Sequence, residues 1–266
     1  MLVNLIEAKW TPRSISLVQI NQNLIDAIRP PVERSLSPVF LHPLKFSGRS
    51  TADKLSSIRA KLFSENPSNG LYILPVLPSI AWLLNLRCRD DVPNTPIFRS
   101  YVALTGTECV LFVDGRKIPT EIEESLGRDG VLVKPYGVEK VKAYVEDWKK
   151  TEEGRGCKVV APPSVSWGLV HQIKMSISVR TSRLHLCPRE IYSCLLQEKI
   201  DIIPCPVETA KAIKNETEIQ GFRNAYLRDG AATVSTSAHH RRDCTLMLEL
   251  DMKGAVDGLA RRTDQS

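Results

Sequence analysis

The stretch from residue 77 to residue 117 most constrains what this chain can fold into. Its apolar run Ile80–Leu84 is typical of a buried helical segment, and a polar corner, Asn85–Asp91, follows it. The runs Ser100–Thr105 and Cys109–Val113 then predict two strands joined by a tight turn. A helix, a turn and a hairpin so close together in sequence indicate the packing centre of a domain.

Elsewhere strand-like runs alternate with helical segments, which is typical of an α/β layer architecture. The further predicted strands are Leu71–Val76, Val131–Lys134, Lys158–Ala161 and Ile200–Ile203. The further predicted helices are one that starts near Ser50 and carries the stripe Leu55, Ile58 and Leu62, then Pro119–Leu126, Val138–Trp148 and Pro188–Leu196. Because a hairpin lies within this alternation, we expect a mixed sheet flanked by helices. Four prolines and a glycine in residues 29–49 indicate an extended linker.

Composition is that of an ordinary globular protein and excludes several classes. The 266 residues are 42% apolar and 25% charged, which allows a sizeable core. The net charge of +6 is spread along the chain without a basic block, which argues against a nucleic-acid partner. Asn85 and Arg87 interrupt the most apolar stretch, so we expect no membrane span. Seven scattered cysteines without a CxxC pair favour free thiols in a reducing, cytoplasmic compartment.

Four side chains in the stretch 77–117 are candidates for a site at a loop or between domains: Trp82, Asn85, Arg87 and Asp90. Trp82 could stack on a ligand, but a tryptophan in an amphipathic helix more often packs in a core, and the same holds for Trp167. The charged corner that runs from Arg87 to Asp91 could face a cleft between domains. We favour a solvated turn with weak local ion pairs as its interpretation.

The strongest helix signal comes late in the chain. Asn215 can cap the helix and Glu218 stands at its third position, while Ile219, Phe222 and Tyr226 form a stripe at i, i+3 and i+7. Leaving this stripe in water forgoes roughly 1.5–3 kcal/mol for each large side chain. We therefore predict that these three residues dock on another surface. From Thr233 onward no apolar period is sustained, and we expect a poorly ordered tail.

Three segments of the sequence, taken in order, resemble a known protein family. They are HPLKFSGRSTADKLSSIRAKL at residues 42–62, IAWLLNLRCRD at 80–90 with the later LFVD, and AKAIKNETEIQGFRNAYLRDGAA at 210–232. Together with a weaker match, PPSVSWGLVHQI at 162–173, they resemble the aminopeptidase P (Xaa-Pro aminopeptidase) family, metallopeptidases related to creatinase and prolidase. The resemblance covers residues 13–232. It departs from the family at Cys88, where a glycine is usual. A glycine there suggests a left-handed turn, which would cost a cysteine about 1 kcal/mol unless the loop adjusts.

The resemblance implies a division of the chain into four parts. Residues 1–35 correspond to the end of the family's first domain and a linker, and residues 36–205 to its creatinase amino-terminal-like second domain. Residues 206–232 correspond to the first helix of the pita-bread catalytic domain, and residues 233–266 form a divergent tail.

In the family, two metal ions, usually manganese, are held by two Asp, one His and two Glu, and they activate water for release of the N-terminal residue that precedes proline. None of these ligands can be placed in this sequence. We therefore expect no catalytic residue, no metal ligand and no cofactor here. Five side chains in the tail could bind a metal ion: His239, His240, Asp243, Glu249 and Asp251. Because they lack the rigid bridging carboxylates of a dinuclear site, we interpret them as part of a polar tail.

We accordingly expect a truncated or mis-spliced Xaa-Pro aminopeptidase-like chain that is inactive alone and pairs with a second copy or with a full-length relative. Xaa-Pro peptides would then be substrates of full-length relatives only. One alternative is a non-catalytic protein-interaction module or a regulatory or dimerising fragment. Inactive relatives of the fold occur in a histone-chaperone subunit, and an acidic partner would suit the charge of +6. A gene-model artefact is the other alternative.

Overall fold

A computed structural model describes residues 24–28, 34–63, 70–166, 168–170, 172–173 and 200–236. The chain divides into two compact units, Met1–Ile213 and Lys214–Ser266. In the first unit the strands are β1 (Val39–Leu41), β2 (Gly70–Leu74), β3 (Leu86–Cys88), β4 (Tyr101–Leu104), β5 (Cys109–Val113), β6 (Val131–Pro135), β7 (Lys158–Ala161) and β8 (Ile200–Ile202). Its helices are α1 (Leu44–Ser47), α2 (Thr51–Leu62), α3 (Leu77–Leu83), α4 (Thr120–Arg128), α5 (Val138–Lys150) and α6 (Pro206–Ala212).

The main sheet has six strands in the order β6-β5-β4-β2-β7-β8. Strand β4 pairs antiparallel with β2 and with β5, and the other neighbours are parallel. The predicted hairpin is thus confirmed as β4–β5, with Tyr101 opposite Phe112 and Leu104 opposite Cys109. Parallel pairs need crossover connections, and α4 lies on the connection between β5 and β6. The predicted mixed sheet flanked by helices is confirmed.

Two hydrophobic clusters cover the two faces of this sheet. Side chains alternate between the faces, so that Tyr72 and Leu74 belong to one cluster while Leu71 and Ile73 belong to the other. Helices α2, α3, α4 and α6 cover the first face, and α5 covers the second. Strand β5 is buried along its whole length, as expected for a strand covered by helices on both faces.

The start of α2 follows the sequence prediction. Ser50 is the N-cap, and its Oγ accepts a hydrogen bond of 3.1 Å from the amide of Asp53. Leu55 and Ile58 are each 1% exposed, and Leu62 packs against the same cluster. The predicted core-facing stripe of this helix is therefore confirmed.

The predicted linker at residues 29–49 is wrong in part. Residues 39–41 form β1, which pairs antiparallel with β3 in a separate two-stranded sheet. Helix α1 follows, and it ends at Gly48 in the left-handed conformation, with φ 66°. These two elements were not predicted because they lie among prolines and are only three and four residues long. Strand β3 also occupies part of the polar corner that was predicted after α3.

At Cys88 the backbone does not form a left-handed turn, so the alternative that the loop adjusts holds. Cys88 lies in β3 opposite Val39, is fully buried, and its thiol donates to the Ser37 carbonyl at 3.3 Å. The left-handed residue of this corner is Asn85, with φ 50°. The chain turns three residues before Cys88, so the cysteine stands in extended backbone that any residue adopts.

In the second unit, residues 216–236 are helical as far as the description extends. The predicted capping box is confirmed: the Glu218 amide donates to Asn215 Oδ1 at 2.9 Å, and the Asn215 amide donates to Glu218 Oε2 at 3.0 Å. The helix therefore continues beyond residue 232. Two predictions lie outside the described residues, namely those for the helix Pro188–Leu196 and for the tail from residue 237.

Candidate functional site

Lys54 and Asn85 join the first two of the quoted sequence segments. Lys54 is 1% exposed and reaches from α2 to the end of α3. Its Nζ donates to the Trp82 carbonyl at 2.9 Å and to Asn85 Oδ1 at 2.6 Å, and it lies 4.3 Å from the centre of the Trp82 ring. A cation at a helix C-terminus interacts favourably with the free carbonyls and the helix dipole. The buried ammonium group therefore caps α3 and fixes its position against α2.

Asn85 makes the turn from α3 into β3. Its φ of 50° is one that asparagine tolerates better than most residues. Its Nδ2 donates to the Arg49 carbonyl at 2.8 Å, and its own carbonyl accepts from the His42 amide at 2.7 Å. The backbone carbonyl and the side-chain amide of Asn85 thus both bind the segment that precedes α2. Arg87 supports the same turn, since its Nη1 donates to the Ala81 carbonyl at 2.7 Å.

Asp91 forms a second polar cluster, in the loop that follows β3. Its side chain is fully buried. One oxygen, Oδ1, lies 2.6 Å from Lys117 Nζ and 2.8 Å from Arg99 Nη1, and Oδ2 accepts from the Arg99 amide at 2.7 Å. Lys117 is only 4% exposed, so Asp91 and Lys117 form a buried ion pair. Arg99 is the second cation of the cluster and is partly exposed. The cluster ties the loop after β3 to the turn after β5.

The charges of this cluster set the protonation of Asp91. Burial by itself raises the pKa of a carboxyl group, but the hydrogen bonds from Lys117 and the Arg99 amide, together with two positive charges, outweigh it. The pKa of Asp91 is therefore lowered, and the carboxylate stays ionised. An anion held in this way is a poor proton acceptor, so the cluster is suited to holding structure.

The four predicted candidates of the stretch 77–117 differ in their burial and in their contacts. Trp82 is 8% exposed and packs in the first cluster, which confirms core packing. Asn85 is buried and Arg87 is half-buried, and both support the turn described above. Asp90 is exposed and accepts from Ser37 Oγ at 2.9 Å. The interpretation of the whole corner as solvated is wrong for Asp91, because Arg99 from the same loop and Lys117 from the turn after β5 enclose its carboxylate.

Sequence reasoning missed the two buried lysines, Lys54 and Lys117. Each looks like an ordinary surface lysine next to a polar turn. One signal was present for Lys54, because it occupies a helix turn between Leu55 and Thr51 on the core-facing side, and both of those neighbours are buried. For Lys117 the sequence carried no such signal.

The predicted docking stripe lies in the second unit. Ile219 is half-buried, Phe222 and Tyr226 are exposed, and the Phe222 and Tyr226 rings stack with centroids 6.5 Å apart. The docking role of these three residues stays a prediction.

The residues that the structure describes contain no group of three or more His, Cys, Asp or Glu side chains that could hold a metal ion. They therefore do not fit the two metal ions that the family resemblance implies for its catalytic domain. The histidines and carboxylates of the tail, together with Trp167, lie outside the described residues. Among the described helices, none is both long and apolar enough to cross a membrane.

Comparison with known proteins gives matches to one family. Residues 29–218 match the sequence profile described as Creatinase/Prolidase N-terminal domain. A probable Xaa-Pro aminopeptidase P from Ajellomyces dermatitidis is 33% identical over 223 residues, which are 82% of this chain and 33% of the relative. One from Aspergillus fumigatus is 34% identical over 261 residues, 94% of this chain and 36% of the relative. The chain thus spans about a third of the length of the curated relatives it matches.

A solved structure shows the same arrangement of elements. The X-prolyl aminopeptidase of Caenorhabditis elegans, described as a cytosolic enzyme with a di-nuclear active site, superposes with a TM-score of 0.71 at 25% identity. The superposition covers 88% of this chain and 34% of that enzyme. The fold and the sequence therefore match the same kind of protein. In both comparisons the match covers about a third of the relative's length.

Proposed function

The chain belongs to the Creatinase/Prolidase N-terminal domain family, and we propose that residues 29–218 form the non-catalytic supporting domain of an Xaa-Pro aminopeptidase-like protein. In this proposal the release of an N-terminal residue before proline belongs to full-length relatives. The 266 residues alone do not carry it out. The names of the relatives and the share of their length that the chain matches support this assignment.

The observation that carries the proposal is that buried polar side chains in and around the stretch 77–117 hold the fold together. Lys54 Nζ caps α3, Asn85 binds two backbone segments, and Asp91 is held as an anion by Lys117 and Arg99. A general acid or base must be free to exchange a proton with a substrate, and a nucleophile must reach it. These groups are committed to holding the domain together, which suits a supporting role.

We propose that the two manganese ions belong to the catalytic domain of full-length relatives and that this chain binds none. We propose a cytosolic location, by analogy with the Caenorhabditis elegans enzyme. The stripe of Ile219, Phe222 and Tyr226 is the proposed contact with a second copy or a full-length relative.

A peptidase assay on the purified 266-residue chain tests the proposal. The substrate is an internally quenched peptide with proline at its second position, with an alanine peptide as its matched control and MnCl2 present. The Caenorhabditis elegans enzyme serves as the positive control. We expect cooperative unfolding in urea, which shows a folded domain, and no cleavage above a mock preparation. Manganese-dependent, proline-selective cleavage that copurifies with the chain and stops with EDTA would overturn the proposal.

A further inference from the structure

The segment of residues 34–38, directly before β1, places one hydroxyl group between an arginine and a proline. It reads Arg-Ser-Leu-Ser-Pro, so Ser37 has an arginine three residues before it and a proline directly after it. The segment forms no helix, strand or turn. Arg34, Leu36 and Pro38 are exposed, and Ser37 is half-buried. Ser37 therefore lies on an irregular and largely exposed stretch of the chain.

The residues around Ser37 suit recognition by a protein kinase. A residue before proline is held to extended backbone, which is the form in which a kinase active site binds its substrate. An arginine three residues earlier adds a charge that an acidic kinase groove can select. Among the described residues, Thr95 is the one other hydroxyl residue directly before a proline. It has Val92 in place of the arginine and lies in a turn, where its amide donates to the Val92 carbonyl at 3.3 Å.

Ser37 also joins the segment 34–38 to the chain at the end of β3. Its Oγ donates to Asp90 Oδ2 at 2.9 Å, and it accepts from Ser35 Oγ at 3.0 Å. The Ser37 carbonyl accepts from the thiol of Cys88 at 3.3 Å, and Cys88 is fully buried. The hydroxyl hydrogen of Ser37 is therefore the link between this segment and the carboxylate of Asp90, and the segment lies against the thiol.

We propose that Ser37 is a phosphorylation site and that its phosphate releases the segment 34–38 from Asp90. The kinase transfers the γ-phosphoryl group of Mg-ATP to Oγ. The bond from the γ-phosphorus to the bridging oxygen breaks, ADP leaves, and the hydroxyl proton passes to the catalytic aspartate of the kinase. The product has no hydrogen to donate and carries a charge of about −1.5 to −2 beside the Asp90 carboxylate. Because like charges repel, the segment moves away. This inference does not depend on the peptidase proposal, since all its residues lie in the first unit.

Phosphorylation of the folded 266-residue chain tests the site. The probe is a serine/threonine kinase whose substrates carry arginine at −3 and proline at +1, supplied with Mg-ATP, and peptide mass spectrometry follows each site. We expect Ser37 to be phosphorylated at least about tenfold faster than Thr95, and Arg34→Ala to slow Ser37 at least about fivefold. Thermal melts establish that the variant is folded. No phosphate on Ser37 of the folded chain, or equal rates at Ser37 and Thr95, would overturn the proposal.

The reactivity of Cys88 reports whether the segment is released. Iodoacetamide at pH 8 should alkylate Cys88 at least about fivefold faster after phosphorylation, because the thiol loses the segment that lies against it. Cys109, which is buried in β5, is the internal control and should not change. In Asp90→Asn the repelling charge is absent, so phosphorylation should change the rate at Cys88 by less than about twofold.

Three results of the alkylation experiment would contradict the release. An unchanged or slower rate at Cys88 would mean that the phosphate stays in place, for example on the neighbouring Arg89. An equal increase at Cys109 would mean that phosphorylation loosens the whole unit. An equal increase at Cys88 in Asp90→Asn would show that repulsion by Asp90 is not the cause.

Discussion

The Nζ of Lys54 donates a 2.6 Å hydrogen bond to Oδ1 of Asn85, across 31 residues of sequence and inside the core. This contact joins the segment 42–62 to the segment 80–90, the two parts of the chain that most resemble the family. It also places a positive charge at the end of α3 and fixes a residue whose backbone is left-handed.

Replacing either partner of the Lys54–Asn85 contact should destabilise the domain. Lys54→Met keeps most of the side-chain volume but leaves Asn85 Oδ1 without this donor, which should cost about 1–3 kcal/mol. Asn85→Gly suits the positive φ, so its cost reports mainly the lost side-chain bonds. In a double-mutant cycle by urea unfolding, the two changes should couple by about 1–2 kcal/mol. Lys61→Met, on the exposed side of the same helix, should change stability by less than about 0.5 kcal/mol. Additive effects in the cycle would show that the contact contributes nothing.

Asp91→Asn should be far more costly than the same change at its neighbour. It leaves Lys117 buried without an anion, and breaking a buried pair in this way costs about 3–5 kcal/mol. Asp90→Asn changes an exposed side chain and should cost less than about 0.5 kcal/mol. Urea unfolding at pH 7 measures both. Equal effects of the two substitutions would contradict the buried cluster.

The stabilisation from Asp91 should also depend on pH. Its pKa is lowered in the folded chain, so its contribution is fully present above the unfolded value of about 3.9 and is lost as the pH falls through the folded value. The difference in unfolding free energy between the wild type and Asp91→Asn should therefore be constant from pH 7 to pH 5 and shrink below about pH 4. A difference that stays constant down to pH 3 would show that the pKa is not lowered.

Cys88→Gly introduces the residue that is usual in the family, and we expect it to destabilise this chain. Cys88 is buried and extended in β3, so glycine gains no relief from strain and loses packing. Glycine within a strand is about 0.5–1 kcal/mol worse than alanine. Cys88→Gly should therefore be less stable than Cys88→Ala by that amount in thermal or urea unfolding. Greater stability of the glycine variant would indicate a left-handed conformation at this position.

The cysteines should differ strongly in reactivity. Cys109 is fully buried, and burial raises the pKa of its thiol to about 12, whereas Cys157 is half-buried. Since the thiolate is the reactive species, iodoacetamide at pH 8 should modify Cys157 at least about tenfold faster than Cys109. Peptide mass spectrometry of the native chain follows the two sites separately, and urea should remove the difference. Equal rates in the native state would mean that β5 opens readily.

The sequence by itself determined the features that depend on neighbouring residues. The stripe of α2, its Ser50 cap, the β4–β5 hairpin and the Asn215–Glu218 capping box all follow from periods and spacings of a few residues. The family resemblance rests on the same local segments. Such features are predictable because helix and hairpin patterns repeat over distances shorter than the elements themselves.

Only the tertiary structure decided the features whose partners are distant in the chain. Strand β1 is too short to be recognised and exists because β3 pairs with it from more than forty residues away. The sequence predicts Lys54 and Asp91 as solvated charges. They are buried because the distant residues Asn85 and Lys117 satisfy them. Burying a charge is costly unless a partner compensates it, and no local pattern shows where that partner comes from. The signature stretch 77–117 thus revealed the packing centre, while the fold revealed how its charges hold it together.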